Sequence, residues 1–164
     1  MNTGKTIDWA YWGRMKHGND REKTIRQIYK DKDISTVMIG GFPSGVKRQS
    51  AWIKDWRELY PKLEPARSTL CFNWIDPTAT TSRYPEALSI GMIPFVWRDY
   101  DINNTYNIDD YQRVSSFGDL KERILQLRDE TVFKQTLELV RTNYKQVLLS
   151  EDEYYRQFSE RMVW

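Results

Sequence analysis

Short apolar blocks alternate with mixed-charge blocks through the first two-thirds of the chain, and turn residues separate them. Ile7 to Trp12 reads as a strand, and Asp20 to Tyr29 as an amphipathic helix with Ile25, Ile28 and Tyr29 on its inner face. Ser35 to Ile39 is a second strand, stopped by Gly40-Gly41-Phe42-Pro43-Ser44-Gly45. Trp52, Ile53, Trp56 and Leu59, followed by Tyr60, fall at helical spacing, and Pro61 and Pro65 are expected to end that helix. Thr69 to Ile75 is the third strand. A short helix then holds Pro85 and Glu86 in its first turn and stops at Gly91, before a buried strand from Met92 to Trp97. Strands alternating with helices predict a parallel sheet with right-handed crossovers. The fold class is therefore α/β, a Rossmann-like parallel sheet flanked by helices.

Beyond the last strong strand the pattern changes. Asp99 to Asn107 is polar and turn-prone, at once a candidate ligand loop and a plain long turn. Gln112 to Ser115 reads as a short edge strand. The remainder is helical, divided into Phe117 to Leu127, Thr131 to Leu149 and Glu151 to Met162. Ser150 and Glu153 look like a capping box that opens the last of these. That last helix, with Tyr154, Tyr155, Phe158, Met162 and Trp164, carries more apolar surface than an exposed terminal helix needs. It packs either on its own sheet or on a partner.

A chain of 164 residues fits a single domain, 1–164, with 40% hydrophobic and 29% charged residues. Seven Trp and ten Tyr exceed what a core of this size needs, so some should line a groove or an interface. A formal charge of +2 is too small to hold nucleic acid by net field. The one cysteine, Cys71, sits in an apolar run and reads as a buried, inert thiol. It rules out an internal disulfide framework and leads us to expect a cytoplasmic protein. No apolar run is long enough for a membrane span, and no signal-peptide core follows Met1. With a single histidine, His17, and no metal-ligand spacing, neither a metal nor another cofactor is expected.

Two segments carry candidate chemistry. In the first, the strand ending at Trp12 runs into Gly13-Arg14-Met15-Lys16-His17-Gly18, and Arg21 opens the following helix. Glycines admit a ligand close to the backbone, a helix N-terminus favours an anion, and Arg14, Lys16 and Arg21 add positive charge. Neither a GxxxxGK[ST] loop nor a GxGxxG is present. In the second segment, Arg83-Tyr84-Pro85-Glu86, an arginine and a carboxylate start a helix at the end of a sheet, where open α/β folds bind ligands. Each segment alone is also compatible with an ordinary turn or helix start. The Gly40 to Gly45 loop likewise either meets a base or phosphate through its N–H groups or is a simple turn.

In this order the two segments resemble the C-terminal, donor-binding half of a GT-B glycosyltransferase. Gly13 to Gly18 matches the Gly-Arg…Lys-Gly loop that holds a donor diphosphate. Arg83 to Pro94 matches the helix whose Glu grips the ribose hydroxyls and which ends in Gly-x-x-Pro. The segments are also similar to those of phage enzymes that glucosylate hydroxymethylcytosine in DNA, where an Arg-x-x-Glu helix start faces uridine diphosphate. Two departures stand out. Thr78 occupies the place, eight residues before Glu86, where many such families carry a second Glu, and nearby Asp76 is out of register. Lys16 stands where the DNA-modifying enzymes carry Arg.

The resemblance implies a substrate site of Arg14, Lys16, Arg21, Arg83 and Glu86 that binds a nucleotide sugar, UDP-glucose first among them, without a bound metal. It also implies an acceptor domain or partner chain, and allows modified phage DNA as acceptor. Catalytic residues are not implied, because in such enzymes they lie in the other half. The alternative is a non-catalytic protein that binds or sequesters a nucleotide or nucleotide sugar. A third reading is a small α/β interaction domain whose aromatics serve assembly.

Overall fold

The structure is a computed structural model that describes residues 4–14, 20–42, 45, 53–73 and 80–161. The elements are β1 (Ile7–Arg14), α1 (Asp20–Lys30), β2 (Thr36–Gly41), α2 (Trp56–Leu63), β3 (Ala66–Cys71), α3 (Arg83–Ser89) and β4 (Ile93–Trp97). A 3₁₀ turn (Asp110–Gln112), β5 (Arg113–Val114), α4 (Phe117–Gln126) and α5 (Glu130–Arg161) follow. All strand pairs are parallel, and the order across the sheet is β2-β1-β3-β4-β5. The chain builds outward from β1 to β2, then returns to the far side of β1 for β3. The loops leaving β1 and β3 therefore diverge and open a crevice at their carboxyl ends.

Side-chain alternation along β1 sorts the core. Trp9 and Tyr11 join Ile25 and Ile28 of α1, Leu120 and Ile124 of α4 and Phe133 of α5 on one face. Ala10 and Trp12 join Leu59 and Leu63 of α2 and Ala87 of α3 on the other. The helices thus cover both faces, as a parallel sheet requires. Helix α3 ends in a Schellman arrangement. Gly91 (φ +70°) donates its N–H to Leu88 O, and Met92 donates to Ala87 O. The ends of α2 and α3 are also joined by the buried Lys5, whose Nζ donates to Glu64 O (2.6 Å) and Ile90 O (3.0 Å). Burial brings the Lys5 pKa down to about 8, partly offset by the charge of Glu64.

Several expected boundaries move. Helix α2 begins at Trp56, where the Asp55 carboxylate caps the Arg57 N–H at 2.9 Å, so Ile53 lies before it; Trp52 is outside the described residues. Pro61 lies inside this helix instead of ending it. Its missing N–H deprives only the carbonyl of Arg57, an exposed residue that water can serve.

Strand β3 starts at Ala66, three residues earlier than the apolar run suggests, and stops at Cys71; Trp74 and Ile75 lie outside the described residues. Its polar first half is buried because distant partners satisfy it. Ser68 Oγ donates to Asp8 O (2.7 Å), and Arg67 donates to Lys5 O (2.9 Å) and pairs with Glu130 (2.7 Å). Strand β5 is only Arg113–Val114. Gln112 belongs to the preceding 3₁₀ turn and donates its side-chain amide to Pro94 O at 2.7 Å.

The two terminal helices expected on either side of Ser150 are one helix, α5, 32 residues long. A capping serine needs the chain to leave the helix. No Gly or Pro forces that between Glu130 and Arg161, and a serine inside a helix costs only about half a kcal/mol. The first half of α5 packs on the sheet side through Phe133 and Val140, both essentially fully buried. Met162 and Trp164 lie outside the described residues, and the description does not extend to the side chains of Tyr154, Tyr155 and Phe158.

The Asp99–Asn107 segment is a self-supporting turn. Asp101, fully buried at φ +49°, accepts the N–H groups of Thr105 and Tyr106 at 2.8 Å each. Tyr106 stacks on Tyr84 at 5.1 Å, and its ring meets Tyr144 of α5 edge-on at 5.6 Å. That packing accounts for its conformation without a ligand.

Candidate nucleotide-sugar site

At the carboxyl ends of β1 and β3, where the strand order reverses, lies a cavity of about 470 Å³. Trp12 and Gly13 of β1, Ile39 of β2 and Phe72 after β3 line it from the sheet. Ile53, Lys54, Trp56 and Leu59 line it from the start of α2. Arg21 of α1 and Thr81, Ser82, Arg83 and Glu86 around the start of α3 complete it. An apolar wall carrying a few convergent polar groups is the usual make-up of a small-molecule site.

Two glycines let the strand ends beside the cavity come together. Gly13 and Gly40 face each other across β1 and β2, with φ of +120° and +134°. A Cβ on Gly40 would lie 2.2 Å from the Gly13 carbonyl oxygen, so the two backbones approach only because position 40 bears no side chain. Gly40 and Gly41 are the end of β2, not the loop the sequence suggested; of the stretch from 43 to 50, only Gly45 is among the described residues.

Three of the five sequence-derived site residues converge on this cavity. Arg21 is buried. Its guanidinium donates to Asn73 O at 2.7 Å and Phe72 O at 3.4 Å, and lies 5.3 Å from the Phe72 ring centroid. Burial lowers its pKa and the neighbouring Arg83 adds to that, while Tyr11 opposes it. Arg83 lies over the rings of Tyr11 (4.4 Å) and Trp12 (5.2 Å) and donates to the Trp12 backbone carbonyl. Its Nε is buried and has no hydrogen-bond partner among the described residues. Glu86 accepts the indole N–H of Trp12 on Oε2 at 3.1 Å. Arg14 is the last residue of β1, in register with Gly41. Lys16 lies outside the described residues, as do Asp76 and Thr78.

The sequence reading did not assign Trp12, Lys54 or Trp56 to the site. Trp12 was legible only as a strand residue and Trp56 only as an apolar residue at helical spacing, since nothing local places either at a sheet edge. Cys71, at the end of β3, is fully buried, and burial pushes its thiol up to about 12. It is an inert core residue. Among the described residues, no group of three or more His, Cys, Asp and Glu is placed to hold a metal ion. None of the described helices is long and apolar enough to cross a membrane.

No family model matches the sequence, and no curated protein matches it. Solved structures do match in fold. T4 phage β-glucosyltransferase in complex with its UDP-glucose substrate aligns with a TM-score of 0.75 at 15% identity, over 98% of this chain and 50% of that one. The DNA-modifying enzyme β-glucosyltransferase, solved in the presence and absence of uridine diphosphoglucose, aligns with a TM-score of 0.74 at 16% identity, over 95% and 51%. The catalytic domain of cholesterol-α-glucosyltransferase from Helicobacter pylori aligns with a TM-score of 0.60 at 16% identity, over 87% and 97%. The chain spans about half the length of the β-glucosyltransferases it resembles. The five parallel strands among the described residues, in the order 2-1-3-4-5 with helices on both faces, are the Rossmann-like α/β fold shared with GT-B glycosyltransferases.

Proposed function

We propose that this chain is the donor-binding domain or subunit of a glycosyltransferase, and that the cavity at the ends of β1 and β3 binds a nucleotide sugar, UDP-glucose. The observation that supports this most is the convergence of Arg21, Arg83 and Glu86 on one cavity at the sheet's switch point, in a fold shared with enzymes solved with UDP-glucose. In this reading Glu86 accepts hydrogen bonds from the ribose hydroxyls. Arg14 and Lys16, on the segment leaving β1, meet the diphosphate, and buried Arg21 and half-buried Arg83 add fixed positive potential behind it.

An acceptor hydroxyl attacks the anomeric carbon while the bond to the diphosphate oxygen breaks. That oxygen leaves with the electron pair, and the cations offset its growing charge, where electrostatic stabilisation has its largest effect. The residues that bind the acceptor, and the base that takes its proton, belong to an acceptor domain or partner chain. Modified phage DNA is one acceptor that the sequence resemblance allows; glycans and small molecules are the others.

Calorimetric titration with UDP, UDP-glucose, GDP and ATP tests the donor pocket. We expect selective binding of the uridine ligands, weakened by about 1.5–3 kcal/mol in Glu86→Ala, the scale of hydrogen bonds to a charged group. Unchanged affinity in that variant would remove Glu86 from the site. Sugar transfer on adding an acceptor domain separates an enzyme from a binding protein.

A further inference from the structure

Trp12 makes two contacts that bear on the Arg-x-x-Glu pair at once. Its backbone carbonyl accepts from Arg83, and its indole N–H donates to Glu86 Oε2 at 3.1 Å. The Arg83 guanidinium also lies over the Trp12 ring, at 5.2 Å. The indole is 5% exposed, packed with Ala10, Ile39 and Leu59, so its orientation is set by the core of the sheet. Among the described residues, Trp12 is the only hydrogen-bond donor to the Glu86 carboxylate, and it engages Oε2 of a side chain that lines the cavity.

A glutamate side chain free to rotate loses entropy when it grips a ligand; one already held by a buried donor loses less. We propose that Trp12 is a positioning residue: its indole N–H holds Glu86 ready for a vicinal diol, and so makes binding of a nucleoside diphosphate depend on the ribose hydroxyls. This rests on the reading of the cavity as a nucleotide-sugar site.

The test compares UDP with 2′,3′-dideoxy-UDP on the wild-type chain and on Trp12→Phe, which keeps an aromatic ring in place and removes the donor. In the variant we expect the Kd for UDP to rise about five- to tenfold, the scale of one ordinary net hydrogen bond, and that for the dideoxy analogue to stay within about twofold. An equal loss for both ligands, or no loss for either, overturns the role of Trp12 while leaving the pocket reading intact. A wild-type chain that binds neither ligand overturns the pocket reading and this inference with it. Should Trp12→Phe fail to fold, the indole ¹⁵N–¹H resonance of Trp12 in the wild-type chain decides. It should shift more on adding saturating UDP than on adding the analogue, and equal shifts overturn the proposal.

Discussion

Cys71 and Glu86 show how one neighbourhood gives two side chains opposite chemical standing. Cys71 lies fully inside the sheet, where burial disfavours a thiolate and Arg83 and Arg21 offset that only in part. It should therefore resist a thiol reagent in the native protein and react only on global unfolding. Labelling against denaturant should follow the unfolding curve monitored by circular dichroism, whereas fast native labelling would mean that the end of β3 opens locally. Glu86 stands at the cavity wall with one oxygen held by an indole. Both residues were visible in the sequence, the cysteine from its apolar neighbours and the glutamate from its place after Pro85. The indole was not, because Trp12 and Glu86 are 74 residues apart.

At the scale of elements, the crevice depends on glycines near the carboxyl ends of β1 and β2, Gly13 and Gly40, lying opposite each other. Gly40→Ala would drive a Cβ into the Gly13 carbonyl from a backbone conformation that L side chains rarely adopt. We expect a loss of about 3 kcal/mol or more in urea unfolding, together with loss of nucleotide binding, since Gly13 lines the cavity. An unperturbed variant would mean that the two strand ends are free to move apart. The glycines themselves were legible as punctuation. That they sit opposite each other in adjacent parallel strands follows from register, which one sequence does not display. Helix α3 behaved differently. Its proline, its acidic first turn and its Gly91 stop are local signals, and the structure matches them closely.

Across the whole molecule, one buried carboxylate joins the start of the chain to its helical C-terminal part. Asp8 accepts from Ser35 N and Oγ, both at 2.8 Å, and from Arg128 Nε (2.9 Å) and Nη2 (2.8 Å). Arg128 also donates to the Asp33 carbonyl. Burial alone would raise the Asp8 pKa, but the hydrogen bonds from Arg128 and Ser35 outweigh it and bring the value below the ordinary 3.8. The unfolded state therefore takes up its proton first as pH falls. The stability from this ion is complete above 3.8 and is lost as pH drops through the lower folded-state value. Asp8→Asn should cost about 1–2 kcal/mol at neutral pH and flatten the acid limb of a stability–pH curve, because the solvent-exposed Arg128 loses its ionic partner and one of the two buried acceptor oxygens becomes an amide NH2 that cannot accept. An acid limb identical to the wild type would show that other carboxylates set it.

By itself the sequence determined the α/β class, the alternation of strands and helices, and the two segments in which charge and glycine coincide. These depend on periodicity, caps and turn residues acting over a few positions. Tertiary structure decided the rest. It drew β3 back over Ala66–Ser68 because Arg67 and Ser68 find partners some 60 residues away. It also brought Trp12, Arg21, Arg83 and Glu86 to one cavity, since only the reversal of strand order between β1 and β3 sets the ends of distant segments side by side.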